Sequence, residues 1–507
     1  MTFSPNNESA FNDTNLRSKN IAPASGMCSL CSAECTGVCE VGLSAVLGKA
    51  MVYPTNTGDN QIASEKNNPL NYSIFNINGR CFGAKGAAEN SEEATIFNVK
   101  LSRQTHGKNP VKLNVPLVLP ALIKLNWRDY FSAAAMIGTV CVIGESSPGK
   151  DPNFEYKNGK ITRFDMLTQI LHAFNKYDRG YGQIVLQCNV EDDAIGLPEY
   201  AITKYGVKAI EIKFGQSAKG TQPAVRLRSF EEAKTKKDSG NLVSPDPYNP
   251  AIAELAKKGQ APVFWSYSRL PMWSEESLLK HITKLRELGM ENLYFKMAGV
   301  DITDIERVLR LASEAAVDMI TFDGAGGGSG YSPNKMMNEF GLSAVCIESA
   351  LIGICRKLEA EGRYIPFITI TGGISTEDQA FKALAIGAPY IKAVGLGRAT
   401  MAAAMVGDKI GGLLESGKPP THLKKFGNTK EELFLELGEL RTLYGDMADE
   451  IPLGAVGAYS YLKKIAFGLQ HFAALNRKFD IDLIDASDVI PLTEEAKKLL
   501  RGTWFSS

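Results

Sequence analysis

From Val111 onward the chain alternates short apolar runs with amphipathic stretches, and the alternation persists for about three hundred residues. A run of apolar residues too short for a helix reads as a strand covered on both faces. The amphipathic stretch behind it reads as its cover. Nine runs qualify as strands: Val115–Leu119, Val140–Ile143, Ile184–Gln187, Ala209–Phe214, Pro262–Trp265, Leu293–Met297, Met319–Phe322, Phe367–Ile370 and Tyr390–Val394. Between them, Ser274 to Glu287 opens with a Ser N-cap and early glutamates, and Ile302–Ala315 and Ser375–Ile386 follow the same helical pattern. Such alternation predicts an α/β chain, and its length predicts a (β/α)₈ TIM barrel over residues 111–411. The alternative is a doubly wound open sheet, although no G-x-G-x-x-G opens a first βαβ unit as a dinucleotide fold requires. Residues 1–110 then form an N-terminal tail with a cysteine-rich segment, and 412–507 a C-terminal helical appendage. Lys234 to Asn249, polar and rich in proline, reads as an inserted loop.

Charge narrows the partners. Lysines and arginines number 56 and so do aspartates and glutamates, giving a net charge of zero. A nucleic-acid binder would carry a basic excess and a membrane-surface protein a basic face, so neither is expected. No apolar run reaches the roughly 20 residues of a membrane span. The polar N-terminus lacks a signal core, which predicts a cytoplasmic protein.

Chemistry concentrates between Asp318 and Arg398. "DMITFDGAGGGSGYSP" (Asp318–Pro333) is a buried strand running into a glycine-rich loop. "ITITGGIST" and "YIKAVGLGRAT" are two more strands, ending in Gly372–Gly373 and in Gly395-Leu396-Gly397. Glycines at the C-terminal ends of barrel strands let backbone N–H groups approach a phosphate, and the helix start behind adds a favourable dipole. The competing reading is that these glycines only make tight turns. A second centre is "AIEIKFGQSAKG" (Ala209–Gly220). Glu211 and Lys213 lie two apart in a strand and share a face, with Gln216 and Lys219 in the loop beyond. Lys296, in "LYFKMAG", is another cation in an apolar strand, where an unpaired charge is costly. These groups form either a structural Lys–Glu pair inside the barrel or a site for a carboxylate or an electron-rich ring.

Four of the nine cysteines crowd together as "CSLCSAECTGVC": Cys28, Cys31, Cys35 and Cys39, spaced C-x₂-C-x₃-C-x₃-C. Without an export signal the cluster predicts metal rather than disulfides. Four thiolates there suit an iron–sulfur cubane, a 4Fe-4S cluster, with Cys₄ zinc as the alternative. The steps are also near helical spacing, but Gly26, Gly37 and Gly42 oppose a stable helix. Cys81 is a possible further ligand or a small buried residue. Cys141, Cys188, Cys346 and Cys355 read as buried, the five separated histidines as non-ligands, and Trp265, Tyr267 and Trp273 as packing or as a cover for a flat ligand.

At these motifs the chain resembles the FMN-binding synthase domain of glutamate synthase, in a short stand-alone form. The string Glu211, Lys213, Gln216, Lys219 is the most specific match; the glycine loop, "TGGIST", "YFKMAG" and the looser "VIGESSPG" (Val142–Gly149) support it. The resemblance implies FMN across the barrel mouth. Gly372, Gly373, Gly395 and Gly397 would hold its phosphate, Gly324, Gly326, Gly327 and Arg398 would complete the cofactor site, and Lys296 would lie near the ring. It implies that Lys213, Gln216 and Glu211 serve catalysis, and that Glu145 and Lys219 help bind a 2-oxo acid or amino acid. In that family, reduced flavin delivers hydride to the imine formed from 2-oxoglutarate and ammonia.

The departures are equally specific. The chain starts Met1-Thr2 with no glutaminase domain, so ammonia or an amine is expected from a separate subunit. The cysteines that follow the barrel in the family are missing from Met401–Gly412, so electrons are expected through the N-terminal cluster, from a ferredoxin or reductase. Asp323-Gly324-Ala325 replaces a His-Asp-Gly, and the family's diproline–dihistidine segment is replaced near Phe264–Trp273. The expected activity is an FMN-dependent oxidoreductase reducing a 2-oxo acid imine, or oxidising an amino acid in reverse. The alternatives are an N-substituting synthase of the N-methylglutamate synthase kind and a non-catalytic electron-transfer or redox-sensing protein.

Overall fold

Eight of the apolar runs pair in parallel and close on themselves. In the computed structural model, which describes residues 40–52, 68–123, 125–215, 222–270, 273–328, 332–333, 336 and 339–505, the strands are β1 (Leu117–Leu122), β2 (Val140–Ile143), β3 (Gln183–Cys188), β4 (Ala209–Lys213), β5 (Asn292–Ala298), β6 (Met319–Asp323), β7 (Phe367–Thr371) and β8 (Ile391–Gly395). Each bonds to the next, and β8 returns to β1 at Val394–Leu117 and Gly395–Val118. One helix of each repeat covers the outside: α1 (Trp127–Ile137), α2 (Met166–Asn175), α3 (Leu197–Tyr205), α4 (Glu275–Glu287), α5 (Ile302–Glu314), α6 (Ala344–Ala360), α7 (Glu377–Ile386) and α8 (Arg398–Glu415). This is the expected (β/α)₈ barrel. The starts of α4 and α7 are legible in sequence, since Ser274 and Thr376 each close a capping box.

The strands are apolar on both faces for two reasons. Outward residues pack on the helices, whereas Val118, Val140, Val142, Val185, Ala209, Tyr294, Met319, Phe367 and Ala393 fill the interior together with Leu113. All of these lie in the N-terminal and middle parts of the strands or, for Leu113, just before β1. The lower barrel is therefore a packed apolar core, closed at its N-terminal end by Gln183, which donates to Asn292 Oδ1 and accepts from the Tyr294 hydroxyl, while the charged side chains of Glu211, Lys213, Lys296 and Asp323 lie toward the C-terminal mouth.

Two expectations need correction. Pro262–Trp265 is not a barrel strand. Trp265–Tyr267 is the middle of a three-stranded antiparallel sheet, between Ala224–Arg226 and Leu242–Ser244, inserted between β4 and α4. Phe264 packs there with Leu227, Ala233 and Val243 in a small separate core. A four-residue apolar run looks the same in either setting. Nor is Lys234–Asn249 a plain loop: it holds the end of helix Phe230–Asp238 and the strand Leu242–Ser244. That helix is capped by Ser229 but has no apolar stripe, because it buries only Ala233.

The C-terminal helix α9 (Leu453–Leu475) lies along α8 and α1. A Cβ on Gly407 would stand 2.5 Å from the Leu453 carbonyl oxygen, so small residues set that close crossing. Strand Phe75–Ile77 pairs with Val489–Pro491, joining the two ends of the described chain. A buried charge cluster locks the joint: Lys478 Nζ lies 2.6 Å from Asp488 Oδ2 and 2.8 Å from Asp485 Oδ2, and Arg80 reaches Asp488 at 2.5 Å. No helix among the described residues is long and apolar enough to cross a membrane.

The loop leaving β2 is fixed by a buried carboxyl. Asp192 Oδ2 accepts from Ser146 N at 2.9 Å and Asn189 N at 3.2 Å. Burial pushes its pKa up to about 7 despite those donors. In the unfolded chain the value is about 4. The folded chain therefore holds an extra proton between those values, and the stability this contributes is lost as pH rises from about 4 to about 7. Asp192→Asn should remove that slope in denaturant unfolding at stepped pH; a parallel profile for the two proteins would contradict it. Asp488→Ala, which removes the buried carboxylate between Lys478 and Arg80, should cost about 3–5 kcal/mol. A loss below about 1 kcal/mol by the same assay would show the cluster to be dispensable.

Candidate active site at the barrel mouth

Counting up each strand from the apolar interior gives the floor of the site. Ala209, Tyr294, Met319 and Phe367 face inward, so Glu211 and Lys213, Lys296, Thr321 and Asp323, and Thr369 and Thr371 share that face above them. Register sets Gln187 beside Glu211, Lys213 beside Lys296, Lys296 beside Thr321, and Asp323 beside Thr371. Two lysines and two carboxylates thus end up inside a closed barrel. Such charges persist only if paired.

The pairing differs from what spacing alone suggests. Lys213 does not bridge to Glu211; its Nζ lies 2.5 Å from Glu145 Oε1, beyond the end of β2. Lys296 Nζ lies 3.2 Å from Asp323 Oδ2, with both side chains at most 7% exposed. Glu211 Oε1 instead accepts from Gln187 Nε2 at 2.5 Å. Burial raises the Glu211 pKa against the opposing pull of Lys296. Burial also disfavours charge on Lys296, but Asp323 and then Glu211 outweigh it and hold that pKa above the ordinary lysine value. Gln187 Oε1, Thr321 Oγ1, Thr369 Oγ1 and Asp323 Oδ1 are buried without a hydrogen-bond partner, so the floor is not satisfied by the protein's own described groups.

The glycine turns wall the next side. Gly372 has φ +110°, and a Cβ there would come within 2.6 Å of Gly324 N; one on Gly326 would come within 2.6 Å of the Gly372 oxygen. The turn after β7 therefore seats directly on the turn after β6. Gly326 spends its small size on this contact and Gly324 on Ala344 at the start of α6, and neither lines the main cavity, whereas Gly327, Gly372, Gly373, Gly395 and Gly397 do. The cavity also meets the starts of two helices, α7 behind Ser375 and α8 at Arg398. Arg398 donates from Nη2 to Gly326 O at 2.8 Å, and burial lowers its pKa. Convergent helix N-termini, open backbone at glycine and a half-buried guanidinium together suit an anion.

The cavity measures about 880 Å³, within the range of cofactor sites. Its outer part is built by the inserted sheet, which contributes Val225, Leu227, Arg228, Lys236 and Tyr267. Sequence reasoning missed Arg228, Lys236, Lys150, Asn189 and Thr371. Only the cations carried a signal, since "AVRLRSF" gives basic residues in an otherwise short apolar context. Lys150, Arg228 and Lys236 have no ion-pair partner among the described residues, unlike Lys213 and Lys296. Tyr267 lines the cavity and Trp265 is buried beside it in sequence, which splits the aromatic set between cover and packing.

Gln216 and Lys219 lie outside the described residues, as do Cys28, Cys31, Cys35 and Cys39. Among the described residues no cluster of three or more His, Cys, Asp or Glu is arranged to hold a metal. Cys141, Cys188, Cys346 and Cys355 are buried as expected, and Cys81 is exposed, not buried. Its segment lies at the surface with few apolar neighbours.

Residues 262–406, from the end of the inserted sheet through β5–β8 and into α8, match the conserved region in glutamate synthase. An archaeal-type glutamate synthase [NADPH] of Thermotoga neapolitana is 28% identical over 192 residues, which is 36% of this chain and 32% of that protein. One from Dehalococcoides mccartyi is 32% identical over 136 residues, 26% of this chain and 25% of the other. The matches therefore span about a third or less of the curated relatives' length. Among solved structures, the flavin-binding domain of baker's yeast flavocytochrome b2 overlaps with a TM-score of 0.45 at 14% identity, covering 83% of this chain and 78% of that one, too loosely to bear on chemistry. The second half of the barrel, β5–β8, is thus the part of this chain that is similar to glutamate synthase.

Proposed function

We propose that the barrel mouth binds FMN and that the chain is an FMN-dependent oxidoreductase of the glutamate synthase type. Its reaction is reduction of a 2-oxo acid imine, or oxidation of an amino acid in reverse. The observation that carries the reading is one cavity in which an anion-suited wall, Gly372–Gly373, Gly395–Gly397 and Arg398, meets a floor with two buried lysines. The fit to FMN rests on that wall for the phosphate, and on Lys213 and Lys296, which line the same cavity, for the electron-rich ring. Bound FMN supplies hydride transfer; the protein supplies binding, orientation and electrostatics.

The residues then divide the work. Arg398 and the two helix starts would hold the phosphate. Lys296, in the floor, would supply positive charge to the ring. Arg228, Lys236 and Lys150, cations without an ion-pair partner among the described residues, would bind substrate carboxylates and fix the reacting carbon, which is a positioning task. Lys213 Nζ holds a proton against Glu145 Oε1, a pair placed to exchange a proton with substrate nitrogen. The inserted sheet closes the outer cavity and limits water. An amine larger than ammonia also suits this site, because Val225, Leu227 and Tyr267 give the outer half an apolar side. Electrons would reach it through an iron–sulfur cluster on Cys28, Cys31, Cys35 and Cys39 from a ferredoxin or reductase, with amine from a separate subunit; the cysteine spacing supports the first of these.

Two substitutions test the assignment. Arg398→Ala should weaken FMN binding about tenfold to a hundredfold, the worth of a charge-assisted hydrogen bond, in a fluorescence-quenching titration. Unchanged affinity would remove Arg398 from the phosphate site. Lys213→Met should leave FMN bound yet slow reoxidation of the pre-reduced enzyme by 2-oxo acid plus ammonium or amine at least about 100-fold, in the range of lost acid–base catalysis. A retained rate would sink the proton-transfer role.

A further inference from the structure

Asp323 is a floor carboxylate whose setting the proposed chemistry leaves unused. It ends β6, is 5% exposed, and its Oδ2 pairs with Lys296 Nζ at 3.2 Å. Its Oδ1 has no hydrogen-bond partner among the described residues. That oxygen occupies the space a Cβ on residue 327 would need, at 2.3 Å, so Gly327 is what admits the carboxylate. Of the other charges near it, Lys213 is matched by Glu145, Glu211 accepts from Gln187, and Arg398 bonds Gly326 in the turn that follows Asp323. Asp323 is the carboxylate paired directly with Lys296, so the charge that Lys296 presents to the cavity depends first on it.

We propose that Asp323 tunes the reduction potential of the bound flavin, masking the Lys296 charge and thereby holding the flavin at a lower potential than a lone lysine would set. The inference rests on the FMN reading. Two-electron reduction of the flavin takes up two electrons and one proton and leaves one negative charge on the ring. An unpaired ammonium beneath it stabilises that charge, and a lysine paired with a carboxylate does so less. A lower potential makes the reduced cofactor a stronger hydride donor, as reduction of an imine asks. Asp323 touches neither substrate nor reacting atoms in this scheme. It acts through Lys296 and is a positioning residue.

The test uses the full chain loaded with FMN and equilibrated anaerobically with a reference dye, with xanthine, xanthine oxidase and a viologen mediator supplying electrons. Asp323→Asn should raise the ratio of reduced to oxidised flavin at fixed dye potential at least tenfold, about 30 mV for a two-electron couple. Asp323→Ser, smaller and free of any packing demand on Gly327, should move it the same way. Lys296→Met should lower the ratio, and in that background Asp323→Asn should have less than a third of its effect, since the charge it unmasks is gone. Flavin-loaded Asp323→Asn and Asp323→Ser proteins whose ratios stay within twofold of the parent overturn this inference alone. So does an undiminished shift in the Lys296→Met background. A parent chain that takes up no FMN overturns the flavin reading and this inference together.

Discussion

Two ammonium groups buried at the end of a closed apolar barrel constrain everything around them. An isolated charge at 5–7% exposure is not tolerated in such a setting. Lys213 and Lys296 are kept by bringing Glu145 from β2 and Asp323 from β6 to meet them. Those partners in turn demand fixed surroundings. Asp192 pins the loop that carries Glu145, and Gly327 clears the volume that Asp323 fills. The polar mouth is thus a set of mutually supported pairs on rigid strand ends, which is what a preorganised site needs.

The lower barrel was legible because burial on both strand faces leaves a composition signal that survives in a single chain. Helix starts were legible where a cap is chemical, as at Ser274 and Thr376. The inserted sheet was misread because short apolar runs carry no information about which core they join. Phe264 belongs to a small core of its own. Helix Phe230–Asp238 was missed because it buries almost nothing, leaving no stripe to detect.

At the site, residue types were easier to read than partners. Lys213, Lys296 and Glu211 stand out as charges in apolar strands, but the partner of Lys213 is 68 residues away in sequence and is set by strand order around the barrel. The glycines divide in a way that no motif shows: some face the cavity, Gly326 lets two turns touch, and Gly324 admits the start of α6. Arg228 escaped notice because its importance comes from the insert folding over the mouth. That insert builds the part of the cavity with the least regular sequence pattern.

The central claim is that this mouth holds one FMN, with its phosphate at the glycine turns. A crystal structure of the full chain grown with FMN tests it most directly. The expected result is one flavin per chain, phosphate against Gly372–Gly373 and Gly395–Gly397 with Arg398, and ring over Lys296. Density for the cofactor elsewhere, or a mouth that stays free of flavin at saturating concentration, would contradict it.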